Sequence, residues 1–259
     1  MAKPKPFATE IDLCAAFLAA APTDKWTAYA ETAGWDILLV RKVDGFQVGI
    51  QAKLRLNVEV MTQALESGSH WCNEVGPDCR AVLVPFACAG GWGEIAAAVG
   101  ITIIRVFTQA DRIHGRHFRN FDPDLPDKLD DTDDCYRQQW FERAPKARCR
   151  LPEYVPDVAA GASAPLQLTT WKIRAIKLAI TLERRGYVTR ADFKHLGLDH
   201  RRFVDAYQWL AVDGQRFVKG KHQMPFKAAH PRNYAEIEAD AGKWMRVVPQ
   251  QLELAGGQD

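Results

Sequence analysis

Cysteine pairs, an export signal, long apolar runs and a large net charge are all missing from this sequence. Its six cysteines (Cys14, Cys72, Cys79, Cys88, Cys135 and Cys149) form no CxxC pair. Their spacing, taken with His70, fits no common zinc pattern. Scattered reduced thiols in a reducing compartment are therefore the expectation. Apolar stretches are short and interrupted by charge, well under the roughly 20 residues that a membrane helix needs. Residues 7–21 carry Glu10 and Asp12, which the apolar region of a secretory signal does not tolerate well; the reading is a cytoplasmic protein. The formal net charge is only +2, so partners must be read from where charge sits. What is present is ordinary for a globular chain: 47% apolar and 25% charged residues in a length of 259. That suffices for a buried core and for one large or two ordinary domains.

Composition divides the chain. Residues 1–120 alternate helix-like and strand-like segments. Residues 121–166 are acidic first (Asp122, Asp124, Asp127, Asp130, Asp131, Asp133 and Asp134), then rich in Pro, Ala and Gly, which predicts a connector. Residues 167–235 regain helical periodicity with a basic bias, and 236–259 read as a tail. In the first region the periodicities predict a helix over 7–20, strands over 26–31, 35–42 and 46–54, and a helix over 58–68. A strand over 81–85, a helix over 92–99 closed by Gly100 and a strand over 101–107 follow. This order implies an α/β (α+β) domain, a mixed sheet flanked by helices.

Asp44-Gly45 between two apolar runs predicts a hairpin. With those two as its loop, Asp36 stands opposite Lys53, and alternation puts Gln51 on the same face. Ile37, Leu39, Val48, Ile50 and Ala52 take the other face, suited to a core. Glu10 falls within the apolar arc of the first helix, and an inward carboxylate needs a partner. A metal shared with Asp36 would supply one; Glu31, just before the hairpin, is a spare candidate. Phosphodiester hydrolysis needs a hard cation to polarise phosphate and acidify water. Magnesium accepts a few protein oxygens and keeps several waters. Asp36, the side-chain oxygen of Gln51, the carbonyl of Ala52 and Glu10 are the candidate ligands, with Mg2+ or Mn2+ as the ion. Lys53 would orient the water and offset charge on the phosphate. The plainer reading of Asp36 and Lys53 is an exposed ion pair contributing about 0–1 kcal/mol; it leaves Glu10 unexplained.

Glu10 on the first helix, Gly34-Trp35-Asp36 opening the second strand and Gln51-Ala52-Lys53 ending the third resemble the PD-(D/E)xK nucleases, the restriction-endonuclease-like fold. The resemblance covers about residues 7–107. The Gln-x-Lys form is similar to the Mrr-like and Holliday-junction-resolvase-like branches. It implies one- or two-metal hydrolysis of DNA, with Asp36 and Gln51 on metal and Lys53 assisting the water. Two departures stand out: Gln51 replaces an acidic residue, which lowers the charge of the site, and Trp35 stands in place of proline. Residues 112–119 hold His114, His117 and three arginines, including Arg112 and Arg116. They read as a basic loop touching nucleic-acid backbone or as a metal pair.

In the third region, Thr169 or Thr170 caps a helix stopped by Gly186, Thr189 caps a short second helix, and Asp199 caps a third running to Val212. A strand over 215–219 and a basic turn, Gly220-Lys221-His222-Gln223, follow. This order resembles a winged helix-turn-helix. Residues 167–234 hold fourteen Lys and Arg against five Asp and Glu, the footprint of a nucleic-acid binder; the plainer reading is a small helical domain of the same fold that binds protein. Arg201, Arg202, Gln208, Lys219, Lys221 and His222 are the candidate contacts; Arg201 and Gln208 suit base reading.

The combined expectation is a metal-dependent DNA endonuclease with a targeting domain; a double-strand cut would imply a homodimer. Two alternatives use the same folds. One is a non-catalytic DNA-binding regulator. The other is an interaction protein that inhibits or recruits another nucleic-acid enzyme.

Overall fold

The computed structural model describes residues 7–66, 75–88, 90–111, 119–126, 139–162 and 167–247. The chain forms two compact units, Met1–Gln167 and Leu168–Asp259. Among the described residues, no helix is long and apolar enough to cross a membrane.

The first unit is mixed α/β. Its elements are α1 (Glu10–Ala20), β1 (Trp26–Thr32), β2 (Trp35–Arg41), β3 (Gln47–Ala52), α2 (Val58–Glu66), β4 (Cys79–Pro85), α3 (Gly93–Ala98), β5 (Ile101–Val106) and β6 (Phe121–Asp122). The six strands lie in sequence order, β1-β2-β3-β4-β5-β6. β1, β2 and β3 are antiparallel neighbours, β3, β4 and β5 run parallel, and β6 returns antiparallel. Alternation puts Ile37, Leu39, Val48, Ile50 and Ala52 in one core with Leu13, Cys14 and Phe17 of α1. Leu38, Val40, Val82 and Val84 form the other core with Val60 and Ala64 of α2 and Ala96 of α3.

Helix α1 starts at Glu10, not at residue 7. Thr9 caps it: its hydroxyl accepts from Asp12 N–H at 3.1 Å, and Asp12 Oδ2 accepts from Thr9 N–H at 2.9 Å. This capping box sets Glu10 in the first turn, where the helix end favours a carboxylate.

The hairpin register also differs from the expectation. Val40 pairs with Gln47 and Ile37 with Ile50, so the loop has four residues, Lys42 to Gly45, and Asp36 stands opposite Gln51 rather than Lys53. The cause is the Asp44 side chain. It accepts from Arg41 Nε at 2.9 Å and from Phe46 N–H at 3.1 Å, closing a wider loop that Gly45, at φ 71°, completes. A two-residue shift keeps every side chain on its face and moves the polar row along the strand.

The segment read as a connector is not one where it is described. Phe121 pairs with Val106, and Phe121, Leu125, Trp140 and Ala160 are buried in the α1-side core. Apolar side chains spaced too irregularly for a helix or strand fold it onto the sheet.

The second unit opens with α4 (Thr170–Arg185), capped by Thr169 and closed by Gly186 in the left-handed region. Then come β7 (Val188–Thr189), α5 (Arg190–Leu196), a π-helical turn (Arg202–Ala206), β8 (Leu210–Asp213), β9 (Arg216–Lys219), α6 (Phe226–Ala229), α7 (Pro231–Ala239) and α8 (Ala241–Trp244). The sheet order is β7-β9-β8.

Three expectations fail here. The third helix does not reach Val212: the rings of Phe203, Trp209, Trp171 and Phe226 pack together, Tyr207 N–H bonds Arg202 O at 3.0 Å, and Gln208 at φ 52° turns the chain into β8. The hairpin tip is Gly214-Gln215, between the Asp213–Arg216 pair, not the basic stretch 220–223. Residues 236–247 are no tail, because Tyr234, Ile237 and Ala241, spaced three and four apart, bury one stripe of α7 and α8.

Asp192 ties this unit together. Its carboxylate accepts from Thr189 N–H at 2.8 Å, the Thr189 hydroxyl at 2.7 Å, Arg246 Nε at 3.1 Å, and Arg185. Burial would raise its pKa, but the Thr189 hydrogen bonds and the two guanidinium charges outweigh burial and hold it below its ordinary 3.8. A depressed carboxyl stabilises the fold above its ordinary value and loses that contribution as pH falls through the folded value. Asp192→Asn should therefore lower unfolding free energy by about 3 kcal/mol or more at neutral pH, leaving two arginines without their anion. In urea unfolding the deficit should stay constant down to about pH 4 and shrink below it.

In the first unit, a Cβ on Gly49 would lie 2.4 Å from Trp35 Cε2, and Trp35 is fully buried. Gly49→Ala should destabilise by about 1–3 kcal/mol through overpacking, read by thermal unfolding.

Candidate functional site

The polar end of the β1–β2–β3 sheet gathers five charged or amide side chains. Pairing of Thr32 with Trp35 and of Ala30 with Ile37 sets Glu31 opposite Asp36. Pairing of Ile37 with Ile50 sets Asp36 opposite Gln51. The β1–β2 ladder is interrupted at Glu31 and Asp36, between the Ala30–Ile37 and Thr32–Trp35 pairs, and the β2–β3 ladder ends at Ile37–Ile50, one residue before Gln51. Ala33 and Gly34, at φ 56° and 84°, make the two-residue turn that opens β2.

Glu31, Asp36 and Gln51 are each fixed by a bond to backbone. Asp36 Oδ2 accepts from Ala52 N–H at 2.7 Å, and Gln51 Nε2 donates to Gly34 O at 2.7 Å. Lys53, just past β3, donates its backbone N–H to Leu83 O at 3.0 Å. Its Nζ meets Glu10 Oε2 at 3.2 Å, both side chains about 30% exposed, at 29% and 30%. Glu31 Oε1 accepts from Gly161 N–H at 2.8 Å and Ala162 N–H at 3.2 Å. That strap lies close on α1: a Cβ on Gly161 would meet Cys14 Sγ at 3.0 Å and the Glu10 backbone at 3.1 Å.

The electrostatics follow from this crowding. Burial pushes the Asp36 carboxyl up; the Ala52 N–H and the Lys53 charge pull it down, and Glu10 adds repulsion. Burial pushes Glu31 up as well, Asp36 adds to it, and the Ala162 and Gly161 N–H groups oppose. The Cys14 thiol beneath is pushed far up by burial and by Asp36, Glu31 and Glu10.

Glu10 and Lys53 meet, and both act on the charge of Asp36, whereas the Gln51 amide donates to Gly34 O and Ala52 meets Asp36 through its N–H. Among the described residues, no group of three or more His, Cys, Asp or Glu side chains could hold a metal ion by protein ligands alone. Magnesium commonly takes one or two carboxylates and fills the rest with water and phosphate oxygens. Crowded carboxylates resisting ionisation beside Lys53 fit that donor set. Glu31 and the strap are what sequence reasoning under-weighted. Glu31 lies in a strand pattern that gives no sign of its φ of 49°, and the strap is more than a hundred residues away.

In the second unit, Arg201, Arg202, Gln208, Lys219, Lys221 and His222 are all exposed. Arg201 and Gln208 do not share a helix face, since Gln208 lies beyond the helical turn. Arg202 stacks over Trp171 at 5.1 Å, and Arg201 approaches Asp199 at 3.4 Å. A groove of about 1050 Å³ lies between the helical turn and the β8–β9 hairpin, lined by Arg190, His200, Arg201, Arg216 and Arg246 with Asp205 and Asp213 opposing. Arg112 and Arg116 lie outside the described residues.

Compared with known proteins, the chain matches no family, no curated protein and no solved structure.

The Lys53–Glu10 pair is part-exposed, so Lys53→Met should change stability by only about 0–1 kcal/mol. A thermal melt close to wild type is the expected result, which makes it a clean variant for activity tests.

Proposed function

We propose that the first unit is a magnesium-dependent DNA endonuclease domain of the PD-(D/E)xK kind and that the second, of winged-helix kind, holds it on DNA. The observation that carries this reading is the approach of Lys53 and Glu10 to Asp36 at one end of a mixed sheet, with Gln51 two residues before Lys53 on β3. Magnesium or manganese, when bound, would polarise the scissile phosphate and lower the pKa of an attacking water. Asp36 and Gln51 would hold the ion, with Glu10 beside them. Asp36 is oriented by Ala52 N–H, and Gln51 by its bond to Gly34. Lys53 is held by Glu10, so its ammonium is poised to donate to the water or to a phosphate oxygen. The exposed arginines and lysines of the second unit supply phosphate contacts.

One observation favours a second reading, a DNA-binding regulator without catalysis: Gln51 stands where an acidic residue would add charge to the site. Incubation of the full chain with supercoiled, linear and branched DNA, with Mg2+ or Mn2+, separates the two. Cutting should appear only with metal and should fall by about a hundredfold or more in Lys53→Met and in Asp36→Asn. Binding without cutting by the wild type would select the regulator. In either case, affinity should fall steeply with salt, and Lys219→Ala with Lys221→Ala should flatten that slope by about two.

A further inference from the structure

We infer that Glu31 is a metal-holding carboxylate of this site, paired with Asp36 across the β1–β2 ladder, and that Glu10 serves instead to position Lys53. The inference rests on the metal-dependent reading above and reassigns which acids serve it.

Glu31 is only 8% exposed. It sits at φ 49°, a left-handed conformation that a non-glycine residue keeps only when its surroundings enforce it. Its neighbour across the ladder is another carboxylate, and like charges directly opposite destabilise a sheet. Its visible structural task is to accept Gly161 and Ala162 N–H groups, at 2.8 and 3.2 Å. A neutral glutamine oxygen would accept the same two bonds without repelling Asp36. The tie therefore accounts for the length of the side chain and for its acceptor, not for its charge. A cation between Glu31 and Asp36 accounts for the charge. It also answers the loss of an anion at Gln51, because the charge missing from β3 is present on β1, between the Ala30–Ile37 and Thr32–Trp35 pairs that flank Asp36. Glu10, by contrast, already meets a cation, Lys53 Nζ at 3.2 Å, and that contact aims the ammonium at the same end of the sheet.

The test is Mn2+ binding to the full chain, followed by the electron paramagnetic resonance of free Mn2+, without DNA. Wild type, Asp36→Asn, Glu31→Gln and Glu10→Gln are compared, with metal-free melting of each. Glu31→Gln and Asp36→Asn should each weaken Mn2+ binding by about tenfold or more, and Glu10→Gln should bind close to wild type. Metal-free Glu31→Gln should melt at or above the wild-type temperature, since repulsion is relieved and both N–H bonds are kept. Wild-type affinity in Glu31→Gln, with loss in Asp36→Asn, would overturn this assignment and leave the metal-dependent reading standing. Absence of Mn2+ binding by the wild type would remove both. A metal-free melting temperature of Glu31→Gln below wild type would also overturn the assignment, because the charge would then be serving the strap.

Discussion

The loop joining β2 to β3 sets the register on which the rest of the first unit depends. Asp44 accepts from the Arg41 guanidinium and from Phe46 N–H, and these bonds hold four residues in the turn. The charge pair holds the Asp44 carboxyl down at about 2, chiefly through the Arg41 hydrogen bonds, so the clamp stays ionised across the neutral range. Arg41 is further held over the Trp26 and Phe46 rings and donates to Pro126 O at 2.8 Å. With this register, Asp36 reaches Ala52 N–H, Gln51 reaches Gly34, and Lys53 clears the strand end to meet Glu10. A tighter turn would set Asp36 against Lys53 and turn the same residues into an isolated ion pair.

Burial then gives this polar row its character. Two apolar cores sandwich the sheet, and Trp35 fills the space that Gly49 leaves. A charged row at the edge of such a core resists ionisation, since desolvation penalises the anion more than a nearby N–H or ammonium compensates. Crowded, desolvated acids are a liability for stability. The strap at 160–162 adds two N–H donors from a distant part of the chain. It fixes Glu31 without neutralising it.

The second unit solves a different problem. Residues 167–234 carry fourteen Lys and Arg against five Asp and Glu, and one buried acid, Asp192, absorbs two of the unit's arginines while capping α5. The aromatic cluster around Phe203 and Trp171 replaces a regular third helix by a wide turn. That frees the basic side chains on its outer surface and on the β8–β9 hairpin to face solvent.

Periodicity and composition made the strands, most helices, the two apolar faces of the sheet and the basic character of the second region legible. The grouping of Asp36, Gln51 and Lys53 was legible for a simple reason: a slip of two residues preserves sheet faces. Three things were not. The partner of Asp36 depended on side-chain bonds within a loop. Glu31 depended on a positive φ at a residue with no glycine signature. The strap and the ends of the third helix depended on packing between segments far apart in sequence. The sequence by itself thus determined which residues alternate between core and polar row, because alternation is local. Only the tertiary structure decided which acid faces which cation, because register and long-range closure are set by contacts that no local pattern encodes.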